Sequence, residues 1–368
     1  MLSCPPDRLQ QIAQARQGLL GDGRWADAPR VAPWIERSWQ RCLSQGLRPE
    51  QRVDFDTVSR AAIEQARGAN RSLIRAAAPV IAAMARTMAD TGYFAILTDA
   101  AGVVIDVNGP LDPANRLAQA IARVGVDLSE KTVGTTAIGT ALAELQPVWL
   151  HRGEHFFDDT SAYSCAGAPL FGPDGRCVGM LDLTGVHVPE RPALQHLVTQ
   201  SAQCIENALL LAQPHALQLR INWPGHGLGG ASDGLVCLDA DGQITGANRH
   251  AAHMLGWSGG APWPHANHVF ALAHEQLFDA AKSERPAQEL PLWSGLRVLL
   301  LARRPQTAPQ ALQRNPLPPS PVPLKDLEDT LIRQAVDEAR GNVMEAARRL
   351  GISRATVYRK LQRRKPPG

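Results

Sequence analysis

Histidine, carboxylate and thiol side chains lie at short spacings in several stretches of this 368-residue chain. His151-Arg152-Gly153-Glu154-His155 satisfies H-x-x-E-H, the inverted zinc-peptidase pattern, which needs both histidines on one face of a helix. Pro147 and the β-leaning Val148-Trp149-Leu150 precede it and Gly153 interrupts it. The segment therefore reads as a strand end and loop, with His155 facing either a pocket or solvent. Cys165 is either a nucleophile or redox thiol, or a small apolar side chain in a core. Asp182 either hydrogen-bonds a ligand beside that thiol or caps a loop. The pairs His250/His253 and His265/His268 have metal-compatible spacings but no acidic or thiol partner nearby, and read as solvated polar residues. Trp149, Trp257, Trp263 and Trp293 either line pockets or fill cores. The histidines and thiols show no haem or flavin signature, so no cofactor is expected, with a bound one left open; no metal or catalytic residue is expected either.

A different chemistry sits in the tail. Residues 340–368 carry nine Lys+Arg against one Asp+Glu, or +8, whereas residues 1–339 carry −5, giving the net +3. Such asymmetry points to a polyanion partner. Leu327, Leu331, Ile332, Ala335, Val336 and Ala339 repeat at helical spacing up to Gly341, a C-terminal stop. Asn342 caps a short helix, Val343 to Leu350, and Gly351-Ile352-Ser353 turns into a third, anchored by Val357 and Leu361. That third helix turns Arg354, Ala355, Tyr358, Arg359 and Gln362 outward. Arg354 can bind guanine bidentately, and small Ala355 and Thr356 let the backbone approach base edges. Arg359, Lys360, Arg363, Arg364 and Lys365 extend towards phosphates. The expected DNA contacts are Ser353, Arg354, Ala355, Thr356, Tyr358, Arg359, Lys360 and Arg363.

The elements that must position these groups belong to a multidomain chain. At 44% hydrophobic and 20% charged residues it is too apolar to be disordered. No apolar run approaches the ~18 to 20 residues of a membrane span, and the first residues show no secretion signal, so a cytoplasmic protein without a membrane partner is expected. Six cysteines form no C-x-x-C pair and fit reduced thiols. None of the five lysines follows a glycine, which excludes G-x-x-x-x-G-K-[ST] and P-loop ATPase chemistry. Ala95 to Asn108 and Val236 to Asn248 repeat one pattern: strand, Asp-x-x-Gly turn, strand, closing Asn. A third hairpin spans Ala166 to Gly185. Turned about Pro173-Asp174, it sets Cys165 opposite Asp182 and Leu170 opposite Cys177, leaving the two thiols on opposite faces. Helical patterns cover Ser59 to Ala89, Asn115 to Val124, Thr135 to Glu144 and Leu194 to Leu211. The fold class is α+β, with antiparallel sheets carrying helices on one face and an all-α C-terminal module. The expected boundaries are an N-terminal helical segment (1–58), a first sensor domain (59–212), a linker (213–231), a second domain (232–302), a proline-rich linker holding seven prolines (303–323) and a helix-turn-helix (324–368).

Gly341-Asn342, Ala346-Ala347-Arg348-Arg349-Leu350-Gly351-Ile352 and Arg354 to Leu361 resemble the C-terminal helix-turn-helix of the Fis family. The resemblance implies a dimer in which Arg354 reaches bases while Thr356 and Arg359 hold phosphates. Val133 to Leu142, Glu154-His155-Phe156, Ser164 to Leu170 and Gly179 to Gly185 resemble the GAF sensor of acetoin-catabolism-type regulators. Glu36-Arg37-Ser38-Trp39-Gln40-Arg41-Cys42 is similar to that family's opening, and residues 232–302 look like a PAS domain. Effector contacts are then expected at Thr136, Trp149, His155, Cys165 and Asp182. Two departures stand out. Thr136 replaces the family's asparagine, removing an amide, and the prolines lead from the PAS-like segment to the helix-turn-helix without the usual sigma-54-contacting ATPase. The resemblance implies a DNA-binding transcriptional regulator, a homodimer on a two-fold operator, sensing a small molecule. It would act by occupancy, by recruiting RNA polymerase or by pairing with an ATPase-bearing relative. The alternatives are a low-specificity nucleoid-architectural protein, and a GAF-based or zinc-dependent enzyme with a regulatory DNA-binding tail.

Overall fold

The computed structural model describes residues 6–21, 31–53, 55, 58–230, 232–257, 262–282, 286–305, 336 and 342–344. The chain divides into two units, 1–305 and 306–368. Of the second, Val336, Val343 and Met344 are described as helical and Asn342 as the residue before that turn. Ser353, Arg354, Ala355, Thr356, Tyr358, Arg359, Lys360 and Arg363 lie outside the described residues, as does the proline-rich stretch from residue 306.

The first unit begins with α1 (Pro6–Arg16), a π-helical turn (Gln17–Gly21), α2 (Pro33–Ser44), α3 (Arg60–Ala69) and α4 (Arg71–Thr87). A five-stranded antiparallel sheet follows, built from β1 (Tyr93–Asp99), β2 (Val104–Asn108), β3 (Val148–His151), β4 (Tyr163–Phe171) and β5 (Cys177–Val186) in the order β2-β1-β5-β4-β3. Between β2 and β3 lie α5 (Arg116–Ile121), α6 (Glu130–Val133) and α7 (Ala137–Glu144). After α8 (Ala193–Leu211) comes a second antiparallel sheet of β6 (Leu217–Asn222), β7 (Gly234–Leu238), β8 (Ile244–Ala247), β9 (Gln288–Pro291) and β10 (Arg297–Arg303), ordered β8-β7-β6-β10-β9. Its helices are α9 (Arg249–Met254) and α10 (His274–Lys282).

The repeated Asp-x-x-Gly pattern builds one turn twice. Asp99 Oδ1 accepts from the amides of Ala101 and Val103, and Asp239 Oδ1 from those of Asp241 and Gln243. Gly102 and Gly242 complete the turns at φ 89° and 85°, a region that disfavours side chains.

Three features differ from the expectation. Helices cover both faces of the first sheet: Ala166, Leu181 and Leu183 pack with Ile81 of α4 and Val198 of α8, while Val148, Cys165 and Met180 pack with Ile138 of α7 and Trp39 of α2. The reason is legible in β1 and β4, whose runs are buried at nearly every position rather than at alternate ones. Second, the stretch 213–231 is not simply a linker, because it contains β6, the middle strand of the second sheet. Leu217, Leu219 and Ile221 alternate inward there, a two-residue period hidden between prolines and glycines. Third, the β4–β5 hairpin pairs Cys165 with Thr184 and Gly167 with Asp182, with an irregularity after Leu170, where Phe171 pairs with Cys177. The slip is by two residues, so Cys165 and Asp182 still share a face.

Helix α2 is fastened to α6, α7 and the loop after β3. From α2, Arg41 Nε and Nη2 donate to the Glu130 carboxylate at 2.6 and 2.9 Å, and Arg41 Nη1 to Glu144 Oε1 at 2.7 Å. Arg37 Nε donates to Glu144 Oε2 at 2.8 Å, and the Ser38 hydroxyl sits 2.5 Å from Glu130 Oε2. Trp39, fully buried, donates its indole N–H to the Glu154 carbonyl at 3.0 Å. α6 and α7 meet so closely that a Cβ on Gly139 would stand 2.6 Å from the Glu130 nitrogen. Gly→Ala inside a helix ordinarily stabilises by about 1 kcal/mol. Here Gly139→Ala must displace backbone, and a loss of about 1–3 kcal/mol in urea unfolding is expected; a gain in stability would contradict this packing.

Candidate functional site

One face of the first sheet, α5 to α7 and Phe55 line a small, partly open cavity of about 30 Å³. Ile121, Leu128, Val133, Ala137, Ile138 and Tyr163 give it apolar walls, and Thr136, His155, Thr160, Cys165, Asp182 and Thr184 supply polar groups. Strand alternation brings Cys165, Asp182 and Thr184 to this face together.

The polar groups form a directed chain. The Thr184 hydroxyl donates to Asp182 Oδ2, so the Cys165 thiol, 3.2 Å from Thr184 Oγ1, donates to that oxygen in turn. Asp182 is fully buried and its Oδ1 has no partner. Burial raises its carboxyl to about 7, the Thr184 hydrogen bond acting in the opposite direction. Burial, with the Asp182 charge second, also holds the Cys165 thiol well above its ordinary range, so it is a neutral thiol rather than a nucleophilic thiolate.

His155 follows a 3₁₀ turn (Arg152–Glu154) after β3 and is fully buried. Desolvation lowers it to about 4, so the ring is neutral near pH 7. Its Nδ1 lies 2.9 Å from the Arg152 carbonyl, which only accepts, so the proton is on Nδ1 and Nε2 presents a lone pair. Nε2 has no partner. The cavity thus holds two unfilled buried hydrogen-bonding atoms, His155 Nε2 and Asp182 Oδ1.

Of the five residues expected to contact an effector, the structure brings Thr136, His155, Cys165 and Asp182 around this cavity and leaves Trp149 out. The pleat turns Trp149 to the opposite face, where it is 7% exposed among residues of α4 and α8 and donates to Glu190 Oε1 at 3.1 Å. Thr136 has a structural duty as well: its hydroxyl accepts from the Gly139 amide at 3.1 Å and caps α7. Sequence reasoning missed Thr184, legible once the register is known because it shares Asp182's face, and Phe55, which lies outside any periodic pattern.

The H-x-x-E-H residues do not converge. His151 stacks beside Trp149 on the far face and pairs with the Ser164 hydroxyl at 2.7 Å, whereas His155 faces the cavity. The Glu154 carboxylate is taken by the His151 amide and Arg8. His265 is held by the Asp241 carbonyl and the Asn267 amide. Among the described residues no group of three or more His, Cys, Asp and Glu side chains is arranged to hold a metal ion, and no helix is long and apolar enough to cross a membrane. Trp257 and Trp263 stack with ring centroids 3.7 Å apart, where Trp263 donates to the Pro173 carbonyl and joins the second sheet to the β4–β5 turn.

A cavity-bearing antiparallel sheet between two helical layers, followed in the same unit by a second five-stranded sheet, defines a two-sheet α+β protein with a small polar-and-apolar hollow in its first domain. The chain belongs to the family described as MimR, N-terminal domain, which residues 10–207 match. Residues 323–363 match the Fis family of bacterial regulatory proteins and residues 228–288 a PAS domain. Over 281 residues the chain is 30% identical to the acetoin catabolism regulatory protein of Cupriavidus necator, covering 74% of this chain and 42% of that protein. It is 30% identical to the propane 2-monooxygenase operon transcriptional activator MimR of Mycolicibacterium goodii, covering 56% of this chain and 34% of that one. The chain thus spans less than half the length of either. Among solved structures, the E. coli DhaR(N)–DhaL complex aligns over 74% of this chain and 99% of that one, at 18% identity and a TM-score of 0.45.

The two buried groups give opposite pH signatures. Asp182 titrates near 7 in the folded chain against 3.8 ordinarily, so stability is withheld progressively as pH rises from about 4 to about 7. Asp182→Asn should therefore gain on the wild type across that window, by up to about 4 kcal/mol, and hold the gain at higher pH. His155, near 4 against 6.5, withholds stability as pH falls through that interval, so His155→Gln should gain in the acid direction. Urea unfolding at several pH values checks both; a constant offset from the wild type would remove the burial assigned to either group.

Proposed function

We propose that this chain is a DNA-binding transcriptional regulator that senses a small molecule in the cavity of its first domain. The observation that carries the reading is the pairing, in one chain, of two unfilled buried polar atoms in that cavity with a C-terminal match to the Fis family. A ligand matching His155 Nε2 and Asp182 Oδ1 recovers hydrogen bonds whose absence costs about 1–3 kcal/mol each. The relatives named for acetoin catabolism and for a propane 2-monooxygenase operon support a small, uncharged effector, and the two unfilled polar atoms support one that can hydrogen-bond. Thr136, His155, Cys165 and Asp182 are its contacts, with Thr184 added.

The tail binds DNA through Arg354, which reads bases, and through Ser353, Ala355, Thr356, Tyr358, Arg359, Lys360 and Arg363 along the backbone. The protein works in the cytoplasm as a homodimer on a two-fold operator, and effector binding changes the spacing or order of the two recognition helices. Lacking a P-loop sequence, it acts by occupancy, by recruiting RNA polymerase or by pairing with an ATPase-bearing relative. The neutral Cys165 thiol and the divergent His151 and His155 favour this reading over the enzyme alternatives.

Footprinting tests it. Arg354→Ala should lose about 1–3 kcal/mol of operator affinity and its preference at one base position, while keeping non-specific binding. Wild-type affinity should fall steeply as salt rises from about 50 to 200 mM. Undiminished sequence preference in Arg354→Ala, or affinity indifferent to salt, would overturn the assignment.

A further inference from the structure

We infer that Arg16 is the positioning residue for the cavity histidine, which makes α1 a strap whose docking is linked to what the cavity binds. The significance of the strap rests on reading the cavity as an effector site; the contact itself does not.

Arg8, Ile12 and Arg16 are four residues apart in α1 and so share one face. That face lies on the loop joining β3 to β4, which carries His155. The Arg8 guanidinium pairs with the Glu154 carboxylate, which is 1% exposed. Ile12, buried, covers Gly153, where a Cβ would stand 3.2 Å from Ile12 Cγ2. Arg16 makes the widest grip. Its Nη1 donates to the carbonyls of His155 at 2.7 Å and Gly153 at 3.3 Å, and its Nη2 to the Phe156 carbonyl and Asp158 Oδ1, both at 2.6 Å.

These carbonyls belong to a stretch that pairs with no strand. Its backbone is held instead at isolated points, such as the Phe156 amide on the Thr135 carbonyl at 3.3 Å and the Asp158 amide on the Pro49 carbonyl at 2.9 Å. The His155 ring hangs between the gripped carbonyls with Nδ1–H on Arg152, so the clamp decides where Nε2 points. Only the planar guanidinium fork spans three carbonyls and a carboxylate in fixed geometry; a lysine ammonium is a point charge on a flexible stem. Linkage then runs both ways: a ligand seated on Nε2 holds α1 down, and a docked α1 raises ligand affinity by the same factor.

The test needs no effector, so its failure is separable from failure of the sensing role. Long-range proton–nitrogen correlation spectra of the full chain labelled with 15N-histidine report each ring's tautomer, His155 being assigned by the signal lost in His155→Gln. The wild type should show a single Nδ1–H tautomer for His155. Arg16→Gln and Arg16→Lys should both add the second tautomer at a tenth or more of the population, or broaden the signal by exchange. Arg37→Gln, which removes another helix-holding arginine, should leave it unchanged. A wild-type-like His155 signal in folded Arg16→Gln or Arg16→Lys overturns the proposal. Should neither variant fold, amide exchange of the wild type decides: α1 and residues 152–158 should open together, and a loop protected tenfold or more beyond α1 overturns it.

Discussion

Two hydrogen-bonding atoms buried without partners in one cavity, the lone pair of His155 Nε2 and Asp182 Oδ1, are the constraint around which the first domain is arranged. A carboxyl and an imidazole out of water resist ionisation, which is why the first moves up to about 7 and the second down to about 4. The protein tolerates this because the surrounding polar groups are satisfied: Thr184 serves Asp182, Cys165 serves Thr184, and the Arg152 carbonyl fixes the imidazole tautomer. What remains open is an acceptor, His155 Nε2, and a carboxyl oxygen that accepts when ionised and can donate when protonated, set among apolar walls, a usual makeup for a small-molecule site.

The helices around the sheet hold those positions still. α2 fastens α6 and α7 through Arg37, Ser38 and Arg41, so the cap at Thr136 and the close approach at Gly139 stay in register with the sheet. α1 grips the loop of His155 from outside. Beyond the cavity, the Arg249–Glu206 ion pair and the Trp263–Pro173 hydrogen bond tie the second sheet to α8 and to the β4–β5 turn, on the strands that carry Cys165 and Asp182. The hairpin that carries Asp182 therefore touches the second domain through the hydrogen bond at its turn.

Much of this arrangement was legible in sequence where one local rule dominates. The Asp-x-x-Gly turns and the placing of Cys165 and Asp182 on one face of a hairpin follow from residue type and spacing, whereas the caps at Asn115, Thr136 and Asn248 emerge only in the structure. Trp149 was misplaced because a one-residue difference along a strand reverses the face, and aromatic type alone carries no facing information. β6 was hidden because its alternation is only six residues long between breakers. The Arg8–Ile12–Arg16 row has a visible four-residue spacing, but its meaning depends on a loop more than 130 residues away, a contact no local pattern encodes.

In the proposed sensing role His155 and Asp182 receive one small molecule together. Thermal denaturation of the wild type, His155→Ala and Asp182→Ala in a panel of acetoin, propan-2-ol, acetone and phenol tests it most directly. A concentration-dependent rise in Tm is expected for the wild type with at least one compound, lost or reduced at least tenfold in apparent affinity in both variants. An equal rise in all three proteins would contradict it.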